Sequence, residues 1–214
     1  MIKPYYYSQV FASDNGRALL NCCRCRRLAN QFSKLRRDYP EYWNRPVPGA
    51  GLIDINKAKI LILGLAPGLH GANKTGKPFV GDASGDLLHS TLAELELEDK
   101  VFITNAVKCL PIKNLPNGRE VKNCSVYLVQ ELEVYTKQEK PVVFVLGGVA
   151  HKAVIATLGL RQSDYPFGHG LVHKLPSLTL VNSYHCSRYN TQTGRLTPKM
   201  FRKALATAKA LATT

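Results

Sequence analysis

Four short apolar runs constrain this chain more than any other feature: Lys59–Leu65, Val101–Val107, Pro141–Leu146 and Leu178–Asn182, each ending in polar or glycine-rich residues. Their length and β-branched content suit strands buried on both faces of a parallel sheet. Helical stretches separate them at about 83–94, 119–137 and 148–158, and a last helix is expected from about 197 to 212. There Thr197-Pro198 offers an N-cap and a favoured first helical residue. The alternation predicts an α/β fold, a three-layer α/β/α sandwich around a central four-stranded parallel sheet. Upstream, residues 14–38 read as one helix with Leu19, Leu20, Cys23, Leu28, Phe32 and Leu35 on its apolar side, and residues 39–58 as a connecting arm with three prolines. No internal repeat or low-complexity linker interrupts residues 1–214, so a single domain with an N-terminal helical segment is expected.

In sheets of this kind, ligands bind at the carboxyl ends of the strands. Gly64-Leu65-Ala66-Pro67-Gly68 follows the first run, Asn105 lies at the end of the second, and Ser183-Tyr184-His185 follows the last. These loops are expected to converge on one cleft.

Charge points to the kind of ligand. The 214 residues hold 29 Lys and Arg against 15 Asp and Glu, a net charge of +14. After Asp164 there is no acid while seven basic residues follow, and residues 1–58 hold ten basic residues and four acids. The acids collect mid-chain at Glu94, Glu96, Glu98 and Asp99. An excess of this size favours a polyanion, since each neutralised phosphate releases counterions. No apolar run approaches the roughly 18 residues of a membrane span, and Met1-Ile2-Lys3-Pro4-Tyr5 lacks the apolar stretch of a signal peptide. An intracellular protein is expected, in the cytoplasm with the nucleoid, and a monomer.

Six cysteines in such a chain argue for metal or redox chemistry before structural disulfides. Cys22-x-x-Cys25 and the pair Cys109 and Cys124 could bind a [4Fe–4S] cluster or a tetrahedral zinc, or remain buried thiols. Arg24, Arg26 and Arg27 crowd the first pair, where cations lower a thiol's pKa. Cys23 is expected to be packed on the apolar helix face.

The segment 64–86 carries six glycines that would let backbone approach a ligand closely. Within it, Gly71-x4-Gly76-Lys77 matches most of a phosphate-binding P-loop. Pro78 stands where Ser or Thr is required, however, and no helix is expected to begin there, so a nucleotide triphosphatase is rejected. Gly64-Leu65-Ala66-Pro67-Gly68 followed by Gly76-Lys77-Pro78-Phe79-Val80-Gly81-Asp82-Ala83-Ser84-Gly85-Asp86 resembles the first motif of the type-5 uracil-DNA glycosylases. The stretch from Ser183 to Pro198 is similar to their second motif, and Cys22-x-x-Cys25-x-Arg27-Leu28 with Cys109 and Cys124 resembles their cluster ligands. Two departures stand out. Pro67-Gly68 replaces the usual Pro-Ala, and His185-Cys186-Ser187 the usual His-Pro-Ser, which frees that loop and places a thiol near the DNA.

The resemblance implies a DNA repair enzyme that excises uracil, and other deaminated bases such as hypoxanthine, from double- or single-stranded DNA, with a [4Fe–4S] cluster on Cys22, Cys25, Cys109 and Cys124. Hydrolysing an N-glycosidic bond requires an extruded base, a positioned water and donors to the departing anion. Leu65 and Ala66 can supply no acid, so the resemblance gives that role to Asp82, which could equally cap a helix starting near Ala83. His185 would donate to the uracil O2, and Asn105 would present its amide to O4 and N3–H. Phe79 would stack on the base, and backbone N–H groups of Gly64, Leu65, Ala66, Pro67 and Gly68 are placed to line the pocket, proline excepted as a donor. Ser84, Lys74, Lys77 and Arg195 are candidate phosphate contacts, and one of Arg188, Tyr189 and Asn190 would fill the hole in the duplex. The competing readings are a non-enzymatic iron–sulfur or zinc nucleic-acid-binding module, which needs the cysteines and basic ends but not the Asp82, His185 and Asn105 set, and a small-molecule nucleoside hydrolase.

Overall fold

The computed structural model describes residues 14–51 and 54–213, and the stretch read for a signal peptide lies outside them. Two N-terminal helices, α1 (Asp14–Leu20) and α2 (Arg26–Asp38), precede the sheet. Its strands are β1 (Ala50–Gly51), β2 (Ile60–Gly64), β3 (Val101–Asn105), β4 (Val142–Leu146), β5 (Val172–Lys174) and β6 (Thr179–Ser183). Between and after them lie α3 (Ala72–Thr75), α4 (Ala83–Glu94), α5 (Gly118–Tyr135), α6 (Gly148–Thr157), α7 (Arg188–Gln192) and α8 (Pro198–Thr213).

The sheet runs β1-β3-β2-β4-β6-β5. Its four inner strands are the four apolar runs, all parallel, with Ile60 opposite both Val101 and Val142 and Val142 opposite Thr179. Residues alternate between two cores. Ile60 and Ile62 pack with Ile103, Phe144, Leu88 of α4 and Phe201 of α8. Leu61 and Leu63 pack with Val143, Val145, Leu128 of α5 and Val154 of α6. Each such fully buried side chain contributes about 1.5–3 kcal/mol, which is why both faces of the sheet must be covered.

The expected four strands are joined by two edge strands, β1 and β5, that pair antiparallel. Neither left an apolar signature, because β1 is Ala-Gly and β5 is largely exposed. The helix read over 14–38 is broken in two. Cys25 has non-helical backbone (φ −110°, ψ 88°), and the chain turns there so that Cys22 and Cys25 face the segment after β3 and the first turns of α5. Cys23 is left on the outside of that turn, exposed rather than packed.

The acids concentrated at 94–99 have a structural partner. Arg202 of α8 donates to Glu94 at 3.2 Å and Lys209 approaches Glu96 at 3.9 Å. This contact lies where α4 ends and the chain enters β3, at the amino end of the sheet. Part of the basic C-terminus is therefore paired far from the strand ends that form the cleft.

Candidate active site

The carboxyl ends of β2, β3 and β6 open onto a cleft of about 370 Å³, within the range of small-ligand sites. Leu65, Ala66, Pro67 and Gly68 form one wall, and Phe79, Asp82, Ser84, Asn105 and His185 also line it. Groups separated by up to 120 positions in the chain thus meet because parallel strands deliver their following loops to one edge.

Asp82 caps α4, its Oδ1 accepting the Gly85 N–H at 3.0 Å. Its Oδ2 lies over Gly68 and Gly71, so close to the latter that a Cβ there would collide with it. One oxygen holds the helix while the carboxyl group as a whole borders the cleft. Asn105 is 2% exposed, and its Oδ1 is buried without a hydrogen-bond partner among the described residues. Gly64 lies beneath the cleft: an added Cβ would strike Asn105 Oδ1 and approach the Phe79 ring to 2.6 Å. That close approach, rather than turn geometry, requires glycine at 64.

Phe79 is 7% exposed and holds a left-handed backbone (φ 54°). Its carbonyl occupies the space where a side chain at 85 would begin, and also meets the His89 ring. The Phe79 and His185 rings lie 5.9 Å apart, tilted 32°. Two rings therefore border the same slot. Burial pushes the His185 pKa below the usual histidine range, with Asp82 pulling weakly the other way, so the imidazole is neutral at neutral pH.

The loop after His185 divides the remaining candidates. Ser187 lines the cleft and caps α7. Asn190 Nδ2 donates to the His185 carbonyl at 2.8 Å, holding the loop in place. Arg188 is exposed outside the lining, and Tyr189 is 71% exposed. Lys74 lies 5.5 Å from the Tyr42 ring centroid, and the Arg195 guanidinium 4.7 Å from that of Tyr184. The P-loop-like stretch contains a helix after all, but it is the single turn α3, which ends at Gly76 before the lysine. Cys186 is not presented on its loop's surface. It is fully buried, its thiol pushed up to about 12 chiefly by burial, and its Sγ donates to the Ser84 carbonyl at 3.4 Å.

Behind Ala66, Cys22, Cys25, Cys109 and Cys124 line a second, much smaller cavity. Lys108 N–H donates to Cys124 Sγ at 3.2 Å, and Asn123 Nδ2 to Cys25 Sγ at 3.6 Å. Among the described residues, no three Cys, His, Asp or Glu side chains are arranged to hold one metal ion. Arg24 pulls the Cys25 thiol down, as expected, but burial outweighs it. Burial raises Cys25 and Cys109, and raises Cys124 to about 11. Arg27 is instead engaged by Glu120 through two 2.7 Å hydrogen bonds.

Residues 50–209 match the model of the uracil DNA glycosylase superfamily. A type-5 uracil-DNA glycosylase of Thermus thermophilus is 45% identical over 185 residues, covering 80% of this chain and 82% of that one. One from Pyrobaculum aerophilum is 40% identical over 210 residues, 90% of this chain and 89% of that one. Another, from Mycobacterium bovis, is 37% identical over 218 residues, 91% and 80%. The chain belongs to the uracil-DNA glycosylase superfamily, with its type-5 members.

Asn114, Ala72 and Ser187 also line the family's cleft here, and sequence reasoning passed over all three as site residues. Ser187 lies inside the second motif and Ala72 between the two parts of the first, which was the available signal. Asn114 lies in a loop of turn-forming residues with no periodicity to mark it.

Burial makes a pH prediction. His89, His169 and His185 all fall below the usual value of 6.5, for each of which burial is the first cause. The unfolded chain then binds more protons than the folded one at acid pH. Their contribution is fully present above about 6.5 and is lost as pH falls below it. Scanning fluorimetry should show a lower Tm at pH about 5.5 than at pH about 7.5, and a flat or rising Tm would contradict these environments.

Proposed function

We propose that the cleft receives a uracil extruded from DNA and that Asp82, His185 and Asn105 divide the work of hydrolysing its N-glycosidic bond. Family membership makes the chain a DNA repair enzyme, a uracil-DNA glycosylase. The observation that carries the site reading is the buried, unpartnered Asn105 Oδ1 beside the Phe79 ring. A buried acceptor left unpaired costs roughly 1–3 kcal/mol, and the N3–H of a uracil stacked on Phe79 would satisfy it. As the C1′–N1 bond breaks, its electron pair leaves with the base and positive charge grows on the sugar. A neutral His185 would donate to the uracil O2, where negative charge gathers. Asp82 would orient the water that adds to C1′ and offset the sugar's charge; the proton that water gives up balances the departing base anion. Ser84 is the candidate phosphate contact at the cleft, and Arg188 or Tyr189 would fill the vacated space in the duplex, since the Asn190 amide is committed to the His185 carbonyl.

Cys22, Cys25, Cys109 and Cys124 would hold a [4Fe–4S] cluster, in which each sulfur binds a different iron, so the close single-ion arrangement that the described residues lack is not required. The four residues line one cavity, and backbone and amide N–H groups donate to two of the sulfurs, as suits thiolates. When bound, such a cluster would cross-link the N-terminal helices to the segment between β3 and α5. No helix among the described residues is long and apolar enough to cross a membrane, and acting on DNA would put the enzyme at the chromosome.

The test is incubation of the purified protein with a labelled uracil-containing oligonucleotide, then alkaline cleavage of abasic sites. Cleavage at uracil is expected, with hypoxanthine as a second substrate admitted by the small Ala66 and Gly68 side of the cleft. An intact strand bound by folded protein would favour the non-enzymatic binding module instead.

A further inference from the structure

The rim of the cleft carries a loop for which base excision itself has no use. Residues 111–117 join the end of the β3 segment to α5. Lys113 and Asn114 both take left-handed backbone, φ 54° and 57°. Asparagine visits that conformation readily, whereas a lysine does so seldom and is held there by its surroundings. The surroundings are firm. Leu110 and Pro111 are buried at one end, and at the other Asn117 and Glu120 form a reciprocal capping box, with Glu120 also gripped by Arg27.

Between these anchors, apolar side chains face solvent: Ile112 is 37% exposed and Leu115 67%. Asn114 lines the cleft itself, and Leu115 is the next residue, exposed and outside the lining. No Asp or Glu occurs from 100 to 119, while Lys113 and Arg119 are exposed. β3 and β6 are the outer strands of the parallel set, so this loop and the one bearing Tyr189 flank the cleft from opposite sides. A leucine held out from a stiff, acid-free loop is poorly suited to water and well suited to a base stack. Apolar side chains of this kind unstack base steps when inserted between them.

We infer that Leu115 is a wedge that enters the base stack beside the target nucleotide and keeps the duplex open from the rim opposite Tyr189. This rests on the uracil-excision reading and adds to it a residue needed for duplex DNA but not for single strands, whose bases are already free to enter the cleft. The exposed position makes Leu115→Ala compatible with the fold, which an unchanged Tm would verify.

Single-turnover excision by Leu115→Ala should fall about tenfold or more on a uracil-containing duplex and stay unchanged on the same strand alone. Leu115→Met should restore the duplex rate. A 2-aminopurine beside an abasic site in a duplex should brighten when wild-type protein binds, and brighten less with Leu115→Ala. Equal losses on both substrates, or none on either, would overturn the wedge. If wild-type protein excises uracil from neither DNA, the functional reading fails, while the 2-aminopurine signal still judges whether Leu115 enters the stack.

Discussion

Asp82→Asn is expected to slow single-turnover uracil excision on the order of a hundredfold or more, the scale for removing a positioned charged group, while DNA affinity holds. The substitution separates the two jobs of this side chain. Asparagine caps helices as well as aspartate does, so its Oδ1 can still accept the Gly85 N–H that Asp82 accepts at 3.0 Å. What disappears is the negative charge at the cleft. Leu65 and Ala66 on the facing wall hold no acid in reserve, and Asp86 is exposed on the next turn of α4, outside the lining. Asp86→Asn should therefore be much milder. Asp82→Ala should in addition lower stability by about 1 kcal/mol through the lost cap. Full excision by a folded Asp82→Asn protein would reduce Asp82 to a helix cap.

Replacing Cys124 by Ser is the other substitution with a large expected effect. Protein purified without chelator should be brown, with broad visible absorbance and about four irons per chain. Cys124→Ser should bleach it and lower Tm by roughly 5 °C or more, because centre and fold are coupled where ligands come from distant segments. Cys124 is buried on α5, while Cys22 and Cys25 lie in the turn between α1 and α2, so losing one of the proposed ligands would release the N-terminal segment. Cys23→Ser is the internal comparison: that thiol is exposed and outside the cavity, and neither colour nor Tm should change. Colourless, fully active protein with one zinc per chain would overturn the cluster.

The site was legible to the extent that chemistry follows local spacing. Gly64 to Asp86 and Ser183 to Pro198 are each continuous stretches whose residue types define a family, and the strand-end rule sends both to one edge. The Asp82 cap was legible too, since Asp preceding a helical run is a local signal. Leu115 and Asn114 were not, because exposure and left-handed backbone leave no periodic trace. The positions of charge were only half legible. The excess of basic residues is plain from the sequence, but Arg27 on Glu120 and Arg202 on Glu94 are pairings across 93 and 108 positions. Only the folded chain separates these from the charges left to meet phosphate.

From its sequence alone this protein had its parallel sheet, its covering helices and the glycine-rich loops that fill the strand ends, because burial on two faces and turn chemistry are written in local pattern. Tertiary structure decided what depends on contact between distant segments. It broke the N-terminal helix at Cys25 to bring two thiols over two others, and added edge strands too short and too exposed to carry a pattern. It also buried Lys108, whose ammonium lies 2.5 Å from Thr104 Oγ1 and 2.7 Å from both Glu131 oxygens. A lysine reads as a surface residue in any sequence. It stays charged in a core only where a carboxylate from another element closes on it, and that is a fact of packing.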